Sequence, residues 1–457
     1  MRASLRAGVD RWNAWRLRSV NHRIFAATLT VGSLAAAVKV AGALKLIVIA
    51  RAFGTGDPLD AFLIAFLLPG FLAEVVGGSF HAALIPIFIE VHERDGRAAA
   101  QRLLSGVAAW NAALLVATAV MLGLTGRWIL TLLGSGFDAG KLALARSLFY
   151  ALLPVLILSG LSTVGRAMLN AGERFAVAAL VPAATPLMTI ALLLSPAAGL
   201  GPYALALGAL AGSALELLVV LLALSRRGVS LIPRWRAGDP AVRRVMHQYG
   251  AAAAASVLMG GATVLNAPMA AMLGPGSVSA LNYGGKLLTV VLAIISTALS
   301  TAILPHFSRM AALGDWRGLR HTLKTYSRLI LLATLPLAVV LVWLSQPLVR
   351  ALYQSGAFTE ADTRLVAAVQ RFFFLQMPFS LLGVLAVRLV SSLKANRLLV
   401  QAAVISLPLN VVLNYVLMNW LGVAGIALSS SAVSMTSLCY LGYKLLGLIR
   451  RAGASAG

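Results

Sequence analysis

The stretch VGSLAAAVKVAGALKLIVIA, residues 31–50, decides the fold class. It is long enough to cross a bilayer core, which takes roughly 20 apolar residues in a helix. It also carries two lysines, Lys39 and Lys45. Lys39 falls near the middle of the span, out of easy reach of either surface. Lys45, six residues on and about 120° around the helix, can snorkel outward or border the same cavity. A cation at mid-bilayer costs roughly 2.5–3.5 kcal/mol on insertion scales, so it turns to the bundle interior or a wet cavity.

The pattern recurs along the chain. Further apolar runs fall near 61–89, 103–126, 145–170, 174–196, 202–225, 245–272, 277–305, 327–349, 365–393, 398–419 and 422–447, after a first at 26–50. Only 11% of residues are charged and the mean hydropathy is +0.89, against about 25% charged for a soluble domain. The expectation is an all-α membrane protein of about twelve spans.

The net charge of +24 has a topological reading. Of 38 Lys and Arg, 26 fall in the two tails and the even-numbered loops and six in the odd-numbered loops. Basic loops stay in the cytoplasm, so both termini are expected there. The excess also suits anionic lipid head groups, and nucleic acid is not an expected partner. Trp12 and Trp15 could seat an interfacial helix in the basic tail 1–25. Cys439 is the only cysteine, which rules out an intrachain disulfide.

The basic linker 227–244 divides the spans into lobes 26–226 and 245–449, with a short tail at 450–457. Weak internal similarity supports a duplication. ALIPIFIE at 83–90 answers AILPHFSR at 302–309, and LNAGER at 169–174 answers LKANR at 393–397. A six-helix unit starts and ends on one side, so its copy keeps the same orientation. That is the parallel-repeat plan of transporters that rock around a site between their halves.

Six cations lie inside apolar runs: Lys39, Lys45, Arg166, Lys286, Arg371 and Arg388. Few carboxylates are available to them, which points to an anionic cargo. Arg166 and Arg388 sit near cytoplasmic helix ends and can snorkel instead. Glu74 and Glu216 could neutralise a lysine or take a proton. Asp60, at the start of the second span, suits an N-terminal cap of its own helix or a pair with Lys45 or Arg51. Close packing is the first reading of Gly284 and Gly285 beside Lys286; unwinding there, to offer backbone N–H groups to an anion, is the alternative. Asn266 and Asn282 are weaker candidates for sugar or amide binding. There is no phosphate-binding GxxxxGK[ST] loop, no HExxH and no cysteine-rich motif. Neither a catalytic site, a metal nor a cofactor is expected.

VIARAFGTGDPLDAFLIAFLLPGFL at 48–72 and FHAALIPIFIEV at 80–91 resemble the start of the MurJ (MviN) lipid II flippases. GSVSALNYGGKLL at 276–288, STAILPHFSR at 300–309 and LYQSGAFTEAD at 352–362 are similar to later parts of that family, in the family's order. The resemblance implies the MOP superfamily fold, with a MATE-like pseudo-twofold repeat, in the bacterial inner membrane. It implies a flippase for a polyprenyl-diphosphate glycan, either lipid II or an exopolysaccharide or O-antigen repeat unit, working beside envelope-synthesis proteins. It places Lys39, Lys45 and Lys286 on the diphosphate, where the family has arginines. Asp60 stands where the family has an essential aspartate. Glu74, Arg51, Arg166 and Arg388 are then supporting or gating charges. Ala73 and Thr289 stand where the family has charged residues, and the chain carries twelve spans where typical members have fourteen. A MATE-like drug or cation exporter is the alternative, and a non-transporting scaffold of an envelope complex the third reading.

Overall fold

The computed structural model describes residues 20–172, 174–226, 228–229, 232–235 and 238–454. Trp12 and Trp15 lie outside the described residues. Every regular element among those described is helical. In chain order these are α1 Val20–Phe53, α2 Asp57–Leu133, α3 Ala139–Ala171, α4 Phe175–Leu180, α5 Ala184–Leu193, α6 Pro202–Ser225, α7 Pro240–Ala271 and α8 Ser277–Ala312. They continue with α9 Trp316–Trp343, α10 Ser345–Tyr353, α11 Glu360–Leu375, α12 Met377–Ser392, α13 Arg397–Leu421 and α14 Val423–Ala454. A single 3₁₀ turn, Val181–Ala183, carries α4 into α5 around Pro182, and the two form one span.

Nine of the described helical segments are long and apolar enough to cross a membrane, or eleven when two bent pairs each count as one span. One bent pair is α11 with α12, which meet at 40° just before Pro378. α2 has 77 residues, roughly 115 Å at the α-helical rise and nearly four times a bilayer core. It carries a left-handed residue, Gly96 at φ 78°. Divided there, it supplies the second and third expected spans.

Two stretches expected as loops are helical instead. Arg94 lies in the helical part of α2 before Gly96, where it pairs with Glu90 one turn back at 3.3 Å, and Arg97 and Arg102 lie in the part after it. Arg317, Arg320, Lys324 and Arg328 lie in α9, whose N-terminus is capped by Asp315 accepting from the Gly318 N–H at 2.8 Å. Charged residues with i,i+4 partners or a good cap hold a helix together past the apolar run.

The chain forms two compact units that cut across the helices. One gathers the described residues of Met1–Leu46, Leu72–Val120 and Leu152–Ala252; the other gathers Ile47–Phe71, Met121–Ala151 and the described residues of Ala253–Gly457. In the first unit, α5 and α6 are joined through a small-residue seam. Gly208 and Gly212 face Thr189 and Thr185 so closely that a Cβ at either glycine would meet a threonine Cα inside ordinary contact. Such small-xxx-small spacing lets two membrane helices pack backbone to backbone. In the second unit the apolar core is built by Phe307, Phe374, Leu381, Leu385, Leu389 and Leu445 from α8, α11, α12 and α14.

Candidate functional site

In the first unit, polar groups from five helices gather inside the apolar runs. The α5–α6 seam sets Thr185 against Glu216, and the threonine hydroxyl donates to Glu216 Oε1 at 2.6 Å. Glu216 is buried. Its carboxylate lies in the fields of Arg166 from α3 and Lys45 from α1. Arg166 and Glu74 in turn face His81. Lys45, Glu74, His81, Arg166 and Glu216 therefore form one electrostatic cluster. Glu216 takes its short hydrogen bond from a neutral hydroxyl, so the private ion pair that the sequence allowed it is not what holds it.

Arg166 also departs from expectation. A snorkelling arginine would stretch toward the nearby helix end. Instead its Nη2 donates to Thr163 Oγ1 at 2.9 Å, within its own helix, and its Nε is buried with no hydrogen-bonding partner. A guanidinium carries five donors in a fixed fork that matches phosphate oxygens. One neutral partner and one bare, buried donor leave that fork mostly uncommitted.

Lys39 lies on α1 in this same unit, exposed and on the described part of the helix. Lys286, on α8, is exposed in the second unit, and Arg388, on α12, is half-buried there. Gly284 and Gly285 do not unwind beside Lys286: α8 runs through them unbroken. A Cβ at Gly284 would sit 2.7 Å from Val369 Cγ1 and one at Gly285 would sit 3.2 Å from Phe373. The pair serves helix packing against α11. Asn266 is likewise committed. Its Oδ1 accepts from Asn414 at 2.8 Å and its Nδ2 donates to Ser430 at 3.2 Å, an amide ladder across α7, α13 and α14. Asn282 is exposed near the start of α8.

The second unit holds most of the odd-numbered loops, and here charges are matched closely. Asp60 is fully buried. It pairs with neither Lys45 nor Arg51, and it does not cap its own helix. Its Oδ2 accepts from Lys141 Nζ at 3.0 Å and from the Gly276 N–H at 2.8 Å; its Oδ1 accepts from the Ser279 N–H at 2.8 Å. Gly276 is the N-cap of α8. Asp60 thus caps, from across the unit, the helix that carries Lys286, with its charge at the positive end of the helix dipole. Lys141 is buried as well, donates to Asp57 at 2.5 Å, and lies 4.2 Å from the Phe137 ring centroid.

A second set of bonds ties the 48–72 motif to the 352–362 motif. The Ala357 N–H donates to the Arg51 carbonyl at 2.8 Å. Thr55 donates to Asp362, which also accepts from the Thr359 N–H at 2.7 Å in a capping box at the start of α11. Gly54 and Gly356 adopt φ 57° and 60°, and a side chain on either would strike the opposite backbone. Tyr283, Tyr353 and Phe358 pack together in tilted and edge-on contacts, with ring centroids 5.2–5.8 Å apart. Arg51 acts here through its backbone, while its side chain is exposed.

Lys141 and Thr185 were invisible as site residues in the sequence. Each is an ordinary residue whose partner is remote in the chain. Asp362 had a legible signal, the Thr359-x-x-Asp362 spacing of a capping box.

A family model described as "Lipid II flippase MurJ" matches residues 49–452. The chain is similar to the lipid II flippase MurJ of Burkholderia cenocepacia, with 27% identity over 93% of this chain and 84% of the relative. It is similar to the probable lipid II flippase MurJ of Synechocystis sp., with 28% identity over 88% and 77%. Among solved structures, the fold matches a lipid II flippase MurJ in an inward closed conformation, TM-score 0.79, 21% identity, over 93% of this chain and 90% of that one. It matches an inward-facing multidrug resistance MATE family transporter of the MOP superfamily nearly as well, TM-score 0.78, 12% identity, over 94% and 100%.

Proposed function

The chain belongs to the MurJ lipid II flippase family, and from that premise we propose that it moves a polyprenyl-diphosphate-linked glycan across the bacterial inner membrane by alternating access. It is a multi-pass transporter and not an enzyme. Lipid II is the cargo named for its relatives. An exopolysaccharide or O-antigen repeat unit shares the diphosphate and the polyprenyl tail, and is the second cargo.

The carrying observation is the guanidinium of Arg166, whose Nε is buried and bare and whose hydrogen bond goes to a neutral hydroxyl. A diphosphate offers the oxygen acceptor that this fork lacks. Lys39, Lys45 and Lys286 hold it in this reading, with Arg166, Glu74 and Arg388 in support. Asp60, with Arg51 and Lys141, keeps the odd-loop end shut. The two six-helix lobes rock about the linker 227–244, with both termini in the cytoplasm. The membrane potential can drive the return, since one charge across 100 mV is worth roughly 2.3 kcal/mol.

The fold match to a MATE transporter supports drug or cation export as the second reading. The two differ in the sign of the charge they need. The test is transport in proteoliposomes holding the purified chain, offered either fluorescent lipid II, a polyprenyl-diphosphate repeat unit or a cationic dye. Movement of a diphosphate lipid and not of the dye is the expected result. Movement of the dye alone would replace this reading with export, and movement of none would favour a scaffold.

A further inference from the structure

A groove of about 580 Å³ lies in the first unit, and none of its lining residues belongs to the charged cluster. It is within the range of small-molecule sites, roughly 300–1,000 Å³. Its walls come from α2, α3 and α6 and from the start of the linker, and they are almost wholly apolar: Leu161, Val164, Leu217 and Leu221 are typical. One lining residue breaks the pattern. Asn111 is fully buried, and neither its Nδ2 nor its Oδ1 has a hydrogen-bonding partner. Buried amides are nearly always paired, so an orphaned one in a cavity wall marks where a ligand's polar atom belongs.

The rim says what kind of ligand. The last lining residue of α6 is Ser225 and the last of the linker is Pro233, and the next residue after each is an exposed arginine, Arg226 and Arg234. The Arg234 N–H donates to the Ser105 carbonyl at 3.1 Å, which ties the linker to α2 one turn before the groove begins at Ala108. Trp110 and Trp235 pack together beside it, ring centroids 4.6 Å apart, an arrangement suited to the membrane–water interface. The linker is the basic loop expected in the cytoplasm, and the cytoplasmic leaflet is the anionic one.

We propose that this groove is a dedicated site for one anionic diacyl phospholipid of the linker-side leaflet. An acyl chain fills the apolar trough. Asn111 Nδ2 donates to an ester carbonyl at its depth, and Arg226 and Arg234 take the phosphate. The site binds a resident lipid that fixes the linker against α2, α3 and α6. It does not depend on which cargo the protein moves.

The test uses the full chain in phosphatidylcholine vesicles with a photoreactive acyl-chain probe on either phosphatidylglycerol or phosphatidylcholine. Illumination should label peptides covering Ala108–Ala112 and Leu217–Ser225 with the phosphatidylglycerol probe and several-fold less with the other. Arg226→Gln and Arg234→Gln should each weaken labelling about fivefold, the weight of one basic group at an anionic surface. Leu221→Trp should block it by filling the trough. Asn111→Leu should leave the protein folded, since it removes an orphaned amide, yet abolish the thermal stabilisation that phosphatidylglycerol gives the wild type. Equal labelling by both head groups would overturn the proposal. So would labelling that survives Leu221→Trp, or displacement by polyprenyl phosphate and not by phosphatidylglycerol.

Discussion

Two cations, a buried lysine in one unit and a half-buried arginine in the other, are treated in opposite ways. Lys141 is held by two carboxylates at 2.5 and 3.0 Å, and the same Asp60 closes the N-terminus of α8 through two backbone amides. Arg166 has a hydroxyl at 2.9 Å, a bare Nε, and a share in the field of Glu216. A charge matched this fully is fixed, and breaking it exposes a buried ion. A charge matched this poorly is costly to keep in a membrane protein unless something else neutralises it. The contrast separates groups that are fixed among their own partners from a group that, in the proposed function, receives an anion.

The largest effect expected from this contrast is at Asp60. Asp60→Ala leaves Lys141 and two helix-end amides without their acceptor, and should destabilise the protein by about 3–5 kcal/mol. Thermal unfolding in detergent reads this directly, and an unchanged midpoint would remove Asp60 from the closure. Lys141→Met should cost less, because Asp60 keeps both amides.

Arg166 sharpens the other side. Arg166→Gln should leave the unfolding midpoint near wild type and weaken diphosphate-lipid binding by about 1.5–3 kcal/mol, the worth of a hydrogen bond to a charged group. Arg166→Lys should recover part of that through charge alone, since lysine lacks the fork. A large loss of stability with unchanged binding would make Arg166 structural. Thr185→Val should then cost about 0.5–1.5 kcal/mol of stability, read as a lowered unfolding midpoint in detergent.

Glu90 gives the smallest effect, outside the membrane spans. Its hydrogen bond from Arg244, helped by Arg94, lowers its pKa below the ordinary 4.5. A carboxyl depressed on folding stabilises the native state above the unfolded value, and the contribution fades as pH falls through the folded one. The Glu90–Arg244 tie should therefore loosen only below pH 4.5. Glu90→Gln should erase that pH dependence, and a wild-type unfolding profile flat through this window would show the tie to be inert.

Much of this architecture was legible in the sequence. Apolar runs of bilayer length fix a helical membrane fold because the backbone has no other way to bond itself in lipid. The motifs at 48–72, 276–288 and 352–362 were legible too, and the second unit brings them together through Gly54, Asp60, Gly276 and Asp362. What was hidden is who meets whom. Lys141 counted only as an odd-loop charge, and nothing local marks a partner some eighty residues away in the chain. Arg166 looked free to snorkel because helix position alone does not reveal a buried Nε. Gly284–Gly285 left packing and hinge both open because the facing Val369 and Phe373 belong to another helix.

The central claim is that the cations of the apolar runs serve an anionic lipid. The most direct measurement is flipping of a fluorescent polyprenyl-diphosphate glycan in proteoliposomes, comparing wild type with Lys39→Ala and Lys286→Ala at equal reconstitution. The account predicts that both variants keep the wild-type unfolding midpoint and lose flipping. Flipping at the wild-type rate in both would contradict it and make these lysines structural.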